Sequence, residues 1–322
     1  MSDIKTFILF SPAISSLNIG DEIIVDSCKK YLKPLLHNSY VVEFATHVPV
    51  TNMYMSFIGN INHKFVLGSN LLMPKMNQSF RQWDIKSSNI NAIKPIITMG
   101  VGWHSYSGKS NHYTEKLYKS LFNHEYINSV RDQYTVEKLR SIGVNNVINT
   151  ACPSLWGFTD EFCDSIPTKK SDTVICTLTD YRPDVEKDKE LLSILSKNYK
   201  RVLLWVQSQG DIEYISQVIT DDKIEIVSPS LATYDSILAN NDVDYVGTRL
   251  HGGIRALQHK KRSFIVAVDN RANEIHKDCG LPIIQRENLE KLEEVINSEQ
   301  KVSIDLPREN IRKWLAQFNI EY

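Results

Sequence analysis

The 322-residue chain has no excess of charge of either sign, with 37 Lys plus Arg against 38 Asp plus Glu. That balance argues against a general attraction to nucleic acid or to an anionic membrane, and it makes any anion site a local matter. No apolar run approaches the roughly 20 residues that span a bilayer, so contact with a membrane is peripheral at most. The opening MSDIKTFILFSP has a short apolar run with no basic n-region before it and no small-residue cleavage pattern after it, which argues against a signal peptide and for a first strand. The five cysteines, Cys28, Cys152, Cys163, Cys176 and Cys279, are an odd, scattered set without C-x-x-C spacing, as expected of reduced thiols in a cytoplasmic protein. There is no His-Glu-x-x-His, no Walker loop and no nucleophile elbow, and nothing visible requires a metal or a cofactor. Short-period repeats and low-complexity tracts are absent as well.

What is present is an alternation. Strand-like runs at Thr6–Phe10, Tyr40–Phe44, Lys64–Leu67, Pro95–Met99, Tyr126–Val130 and Asn146–Ile148 are separated by segments with helical spacing, such as Ile23, Ile24, Cys28, Tyr31, Leu32 and Leu35. A second series follows at Val174–Leu178, Val202–Val206, Ile224–Val227, Tyr245–Val246 and Phe264–Val268. Pro153 to Ser171 reads as the linker. The pattern predicts an α/β chain of two Rossmann-like doubly wound domains facing across a cleft: an N-terminal domain over 1–160, a C-terminal domain over 171–305, and a last amphipathic helix within 306–322 that can fold back on the first domain. Ligands of such folds bind at the carboxyl ends of the strands, so function is expected on strand-to-helix loops.

Four such loops carry candidates. In SPAISSLNIGDE, Ser11 to Glu22, Asn18 and Asp21 offer short polar groups at the cleft; Asp21 either caps the helix or serves as general base toward a hydroxyl. KPIITMGVGWHSYSG, Lys94 to Gly108, holds a Gly-x-Gly without the helix a dinucleotide turn needs. Trp103, His104 and Tyr106 instead suit a ring-shaped ligand, or pack against their own domain. In NSVRDQYTVEKLRSIG, Arg131 follows a strand and Asp132 can cap the next helix; the arginine either grips a carboxylate or phosphate, or pairs with Asp132. In GTRLHGGIRA, Arg249 and His251 stand just before a helix whose Gly252 and Gly253 expose its first N–H groups. That combination of cation, imidazole and helix N-terminus is an anion site. Asp-x-Asp at Asp242 and Asp244 lies at the entry of a strand, the wrong end for a ligand, and reads as a turn.

NIGDEIIVDSCKKYL, VLGSNLL, ITMGVGWHS, SVRDQYTVEKLRSIG and VGTRLHGGIRALQHKKRSFIVAV resemble, in order and spacing, the polysaccharide pyruvyl transferase family, from about Asn18 to Gly280. The resemblance implies a glycosyltransferase-B-like pair of domains. It also implies transfer of the enolpyruvyl group of phosphoenolpyruvate onto sugar hydroxyls, usually as a cyclic ketal, in cell-surface polysaccharide or glycan biosynthesis. The acceptor would be a sugar or a lipid-linked glycan. The family's donor-binding residues map onto Arg131, Arg249 and His251, with Gly252 and Gly253 beside them. His251, Arg249 and Asp21 would act in catalysis, and Asn18, Asp21, Trp103 and His104 would meet the acceptor. VDNRANEIHKDCGLP departs from the aromatic-plus-lysine pattern common after the last strand. Two alternatives stand beside this one: a glycosyltransferase of the same architecture using a nucleotide sugar, for which Glu274 is the one acidic candidate for the ribose, and a noncatalytic glycan-binding relative.

Overall fold

The computed structural model describes residues 5–58, 61, 63–219 and 221–322. The first four residues of the segment considered above for a leader lie outside them. The chain divides into two compact units. One comprises residues up to Ser16, Ile24–Trp156 and Leu306–Tyr322; the other comprises Leu17–Ile23 and Gly157–Asp305.

In chain order the first unit holds β1 (Thr6–Ser11), α1 (Ile19–Leu36, whose first turn belongs to the second unit), β2 (Tyr40–Ala45), α2 (Asn52–Ile58) and β3 (His63–Leu67). It continues with α3 (Ile90–Ile93), β4 (Ile97–Met99), α4 (His112–Leu121), β5 (Asn128–Val130), α5 (Gln133–Ser141) and β6 (Val147–Asn149). Strands β2-β1-β3-β4 form a parallel sheet, and β5-β6 a parallel pair. β1 is buried on both faces from Phe7 to Phe10, as its unbroken apolar run requires of an inner parallel strand. Its neighbours β2 and β3 leave in opposite directions, so the strand order reverses beside β1.

One cation is buried in this unit without a carboxylate. Lys64 on β3 is 1% exposed, and its Nζ donates to the carbonyls of Ala92 (2.8 Å) and Lys94 (3.0 Å) at the end of α3. Burial pushes its amine down to about 8. The unfolded lysine keeps its proton to about pH 10.4, so between these values the unfolded state binds more protons and Lys64 becomes less costly to the fold as pH rises. The buried thiols of Cys28 and Cys176, pushed up by burial, act in the opposite sense over the same range. The expected result is therefore a difference: the stability gained by Lys64→Met shrinks by about 2 kcal/mol from pH 8 to pH 10 in urea titrations. A gain independent of pH would refute it.

The second unit runs α6 (Asp160–Asp164), β7 (Thr173–Thr177), α7 (Val185–Asn198), β8 (Arg201–Trp205), α8 (Gln209–Val218), β9 (Ile224–Val227) and α9 (Leu231–Asn240). Then come β10 (Asp244–Gly247), α10 (Leu250–Gln258), β11 (Ser263–Ala267), α11 (Asn270–Cys279), β12 (Ile283–Gln285) and α12 (Leu292–Asn297). Its six strands are parallel in the order β12-β11-β10-β7-β8-β9, the doubly wound arrangement, with the reversal between β7 and β10. At Gly247 a Cβ would lie 2.6 Å from the Thr177 nitrogen and 2.7 Å from its oxygen, so only glycine lets β10 close on β7 there. Asp244, from the Asp-x-Asp, is taken up at the opposite end of β10 by the Tyr199 hydroxyl (2.7 Å) and Arg262 (3.1 Å).

A last helix, α13 (Arg308–Ala316), belongs to the first unit. Its Trp314 is fully buried, edge-on to Phe65 and Trp156, while Phe318 just beyond it stacks on Tyr126 at 5.4 Å. The stretch expected as a linker is partly helical. Thr159 caps α6 by accepting from the Phe162 N–H at 3.1 Å, and the division between units falls at Trp156–Gly157.

Candidate active site

The reversal point of the second sheet is where a ligand of this topology binds, and it is where GTRLHGGIRA sits. Thr177 Oγ1, at the end of β7, lies 2.5 Å from the Tyr245 hydroxyl and accepts from the Arg249 N–H at 3.2 Å; Tyr245 in turn lies 2.7 Å from the Arg249 carbonyl. The Tyr234 hydroxyl donates to the Gly252 carbonyl at 2.8 Å. These buried bonds fix the first turn of α10, with Arg249 as the residue before it and His251 inside it, 4% and 5% exposed.

Arg249 is not the bare cation that the sequence suggested. Its Nε donates to the Leu178 carbonyl at 3.2 Å, and its Nη2 reaches both the Asp180 carboxylate, at 2.9 Å, and that of Asp211. Asp211 is fully buried and also accepts from the N–H groups of Ser208 (2.9 Å) and Asp180 (3.1 Å). Burial pushes its carboxyl up, while Arg249 and these N–H groups favour the charged form. Asp180 differs from it: its side chain is 36% exposed, lying on the guanidinium and over the start of α8, where a Cβ on Gly210 would be 2.0 Å from its Oδ2. The half-buried carboxylate thus occupies a place suited to an anion, between a buried guanidinium and a helix N-terminus.

A second cation, missed in the sequence, completes the cluster. Arg271, in the first turn of α11, donates from Nε to Asp269 Oδ2 at 2.9 Å and reaches the Tyr181 hydroxyl. Both guanidinium groups lie over the Tyr181 ring, Arg249 Cζ 5.0 Å and Arg271 Cζ 5.2 Å from its centre. Burial works against the charge of Arg271, but Asp269, Tyr181 and Asp21 outweigh it and push the guanidinium pKa up. The signal was an arginine two residues after a capping aspartate, in the segment that departs from the family pattern.

Asn18 and Asp21 join this unit rather than the first, correcting the expectation that put them in the N-terminal domain. The reason is backbone pairing: the Ile19 N–H donates to the Gln207 carbonyl (2.9 Å) and the Gln209 N–H to Leu17 (3.2 Å), bridging Asn18 to Ser208. Asp21 does not cap α1. Asn18 does, its Oδ1 accepting from the Gly20 N–H at 3.1 Å, with Asp21 in the first turn. Gln207, also missed, donates to Asn18 Oδ1 at 2.9 Å, and its own Oε1 is buried with no partner among the described residues. That oxygen is 3.1 Å from where a Cβ on Gly252 would stand. The Tyr245 hydroxyl is equally close to that position, so Gly252 lies against both Gln207 and Tyr245, while the bare Gly253 makes room for Ile265 and Tyr245 in helix-on-sheet packing.

The remaining candidates lie in the first unit. Arg131 is 2% exposed and forms the ion pair with Asp132 (3.1 Å); its Nη2 donates to Asn70 Oδ1 (2.6 Å) and to the Trp103 carbonyl (3.3 Å). A Cβ on Gly102 would strike its Cζ at 2.2 Å, so the glycine of this loop makes room for the guanidinium. Asp132 caps α5, its Oδ1 accepting from the Thr135 N–H at 2.7 Å. Trp103 is fully buried in the core with its Nε1 on Ser107 Oγ (2.8 Å), which removes it as a stacking surface for a sugar. His104 is half-buried, 6.0 Å from the Phe80 ring, and Tyr106 is exposed, edge-on to Tyr134. Glu274, the ribose candidate of the nucleotide-sugar alternative, is buried on α11.

Similarity to known proteins agrees with this architecture. The fold resembles UDP-GlcNAc 2-epimerase from Methanocaldococcus jannaschii in complex with UDP-GlcNAc and UDP, with a TM-score of 0.56 and 11% identity over 97% of this chain and 99% of that one. It also resembles S. aureus MnaA with UDP, with a TM-score of 0.51 and 11% identity over 99% of each chain. At such identity the likeness is one of fold, and the fold is the glycosyltransferase-B-like pair of α/β units expected from the sequence. No curated protein matches the chain in sequence. The profile of the polysaccharide pyruvyl transferases matches residues 18–270, which takes in Asn18, Asp21, Arg131, Arg249 and His251 but ends just before Arg271, and the chain belongs to that family.

Proposed function

We propose that the strand-end site of the second unit binds phosphoenolpyruvate and that the enzyme transfers its pyruvyl group to sugar hydroxyls as a ketal. The family is one of transferases. The observation that carries the donor assignment is the half-buried Asp180 carboxylate lying on buried Arg249 at the start of α8. A substrate carboxylate or phosphate can take its place, and Arg271, over the same Tyr181 ring, offers a second guanidinium for the other end of a dianion. The first turn of α10 adds N–H groups and positive potential.

The chemistry then has a balanced course. A proton is delivered to the methylene carbon, one sugar hydroxyl adds to the central carbon and loses its proton to a base, phosphate departs, and a second hydroxyl adds to the resulting oxocarbenium-like carbon and gives up its proton in turn to close the ketal. His251 supplies the proton or assists the departing phosphate, and Arg249 stabilises the charge that develops. Asp21 is the candidate base. No cofactor enters this balance, and the donor's origin in central metabolism puts the reaction in the cytoplasm, with a lipid-linked or free glycan of cell-surface polysaccharide synthesis as acceptor. Arg131 is carried as a donor contact by the family resemblance alone.

The test is incubation of the purified chain with phosphoenolpyruvate and a panel of lipid-linked, nucleotide-linked and free sugars. Acceptor-dependent phosphate release is expected, and proton NMR of the product distinguishes the methyl singlet of a ketal from the vinyl protons of an enol ether. Tight binding of a nucleotide by calorimetry, with no phosphate release on any acceptor, would overturn the proposal in favour of a nucleotide-sugar enzyme.

A further inference from the structure

One buried acceptor of the second unit has no donor. Gln207, just beyond β8, is 3% exposed, and its Oε1 meets no partner among the described residues. Its neighbours dictate that orientation. Asn18 Oδ1 accepts from the Gly20 N–H at 3.1 Å, and Asn18 Nδ2 donates to Asp21 Oδ2 at 3.4 Å, so both ends of the Asn18 amide are committed. Gln207 can meet that Oδ1 only with its NH2 end, which it does at 2.9 Å, and its oxygen is left over. A buried acceptor without a donor weakens the fold, and an apolar side chain of the same length would not.

A glycine makes room for the same contact. A Cβ on Gly20 would stand 2.6 Å from Gln207 Nε2, so an alanine there displaces the amide from where it lies. The backbone does not require glycine at this place: Gly20 is in the first turn of α1 and is not among the residues of positive φ. Two locally unfavourable choices, an orphan oxygen and a helical glycine, thus serve one hydrogen bond. That bond holds the Asn18 side chain, and Asn18 in turn holds Asp21, whose carboxylate stands near enough to Arg271 to favour its charge.

We propose that Gln207 is a positioning residue, which fixes the Asn18 amide so that the Asp21 carboxylate is presented to the sugar hydroxyl in one direction. The proposal rests on the reading of Asp21 as the base. A carboxylate released from this restraint meets the hydroxyl productively only part of the time, so the loss falls on kcat. The donor, gripped by the guanidinium groups, keeps its affinity.

Steady-state phosphate release by the full chain tests this, with phosphoenolpyruvate varied at a saturating level of the best acceptor in the sugar panel. Gln207→Met and Gly20→Ala are each expected to lower kcat roughly tenfold or more, with KM for phosphoenolpyruvate within about twofold of wild type. Their melting temperatures are expected to stay near that of the wild type, since methionine removes the orphan oxygen along with the bond and alanine is the better helix former. The double variant is expected to be no slower than Gln207→Met alone, because both changes break one contact. With Asp21→Asn inactive, wild-type kcat in both single variants, a loss confined to KM, or multiplied losses in the double variant would each overturn the proposal and leave the base in place. A wild type that releases no phosphate, or Asp21→Asn at full rate, would overturn the reading of Asp21 and this proposal with it.

Discussion

Arg249→Met is expected to cost the fold about 3–5 kcal/mol, because it strands the fully buried Asp211 carboxylate beside Asp180 with no cation to compensate them. The carboxyl of Asp211 is already pushed up by burial, and loss of the Arg249 charge that opposes this pushes it further up. Thermal or urea denaturation measures the loss. Stability and catalysis are separated by the double variant Arg249→Met/Asp211→Leu, which removes both charges: it is expected to recover much of the stability and none of the phosphate release. A single variant as stable as the wild type would show that the pair is not a closed structural unit. A double variant with full turnover would remove Arg249 from the donor site.

The second large effect is on rate alone. His251→Gln keeps polar atoms in the first turn of α10, which the Tyr245 and Tyr234 bonds hold in place. Its melting temperature is therefore expected to stay near that of the wild type. Phosphate release from phosphoenolpyruvate is expected to fall on the order of a hundred- to ten-thousandfold, the usual worth of a positioned general acid. The donor affinity, held by the two guanidinium groups, should change little. A rate within a few-fold of wild type would refute the role given to His251.

How much of this was legible in the sequence depends on the range of the interaction. The strands of both sheets announce themselves through local apolar runs, and Asp132 and Thr159 are local caps, three residues from the N–H groups they meet. The family order from Asn18 onward is equally a property of the string. By contrast β12 and α3 are too short to carry a period, and α2 exposes the apolar residues that would have marked its buried side. The partners of Arg249 lie 38 and 69 residues before it, and no spacing rule joins them. The grouping of Asn18 with Gln207, 189 positions on, is likewise a matter of tertiary pairing. Trp103 shows a different failure, because an aromatic after two loop glycines looks the same whether its indole turns outward or, as found, into the core.

The carboxylate that lies on Arg249 at rest has a consequence for selectivity. A pocket that already balances its own arginine does not draw in whichever small anion is abundant, since chloride or orthophosphate must first dislodge a tethered competitor whose local concentration is high and constant. At the proposed donor site, a guest with charge at both ends, able to recruit the second guanidinium while evicting Asp180, would recover more than it disrupts. The resting state would then act as a filter, favouring a metabolite of matching length over the crowd of simple salts around it.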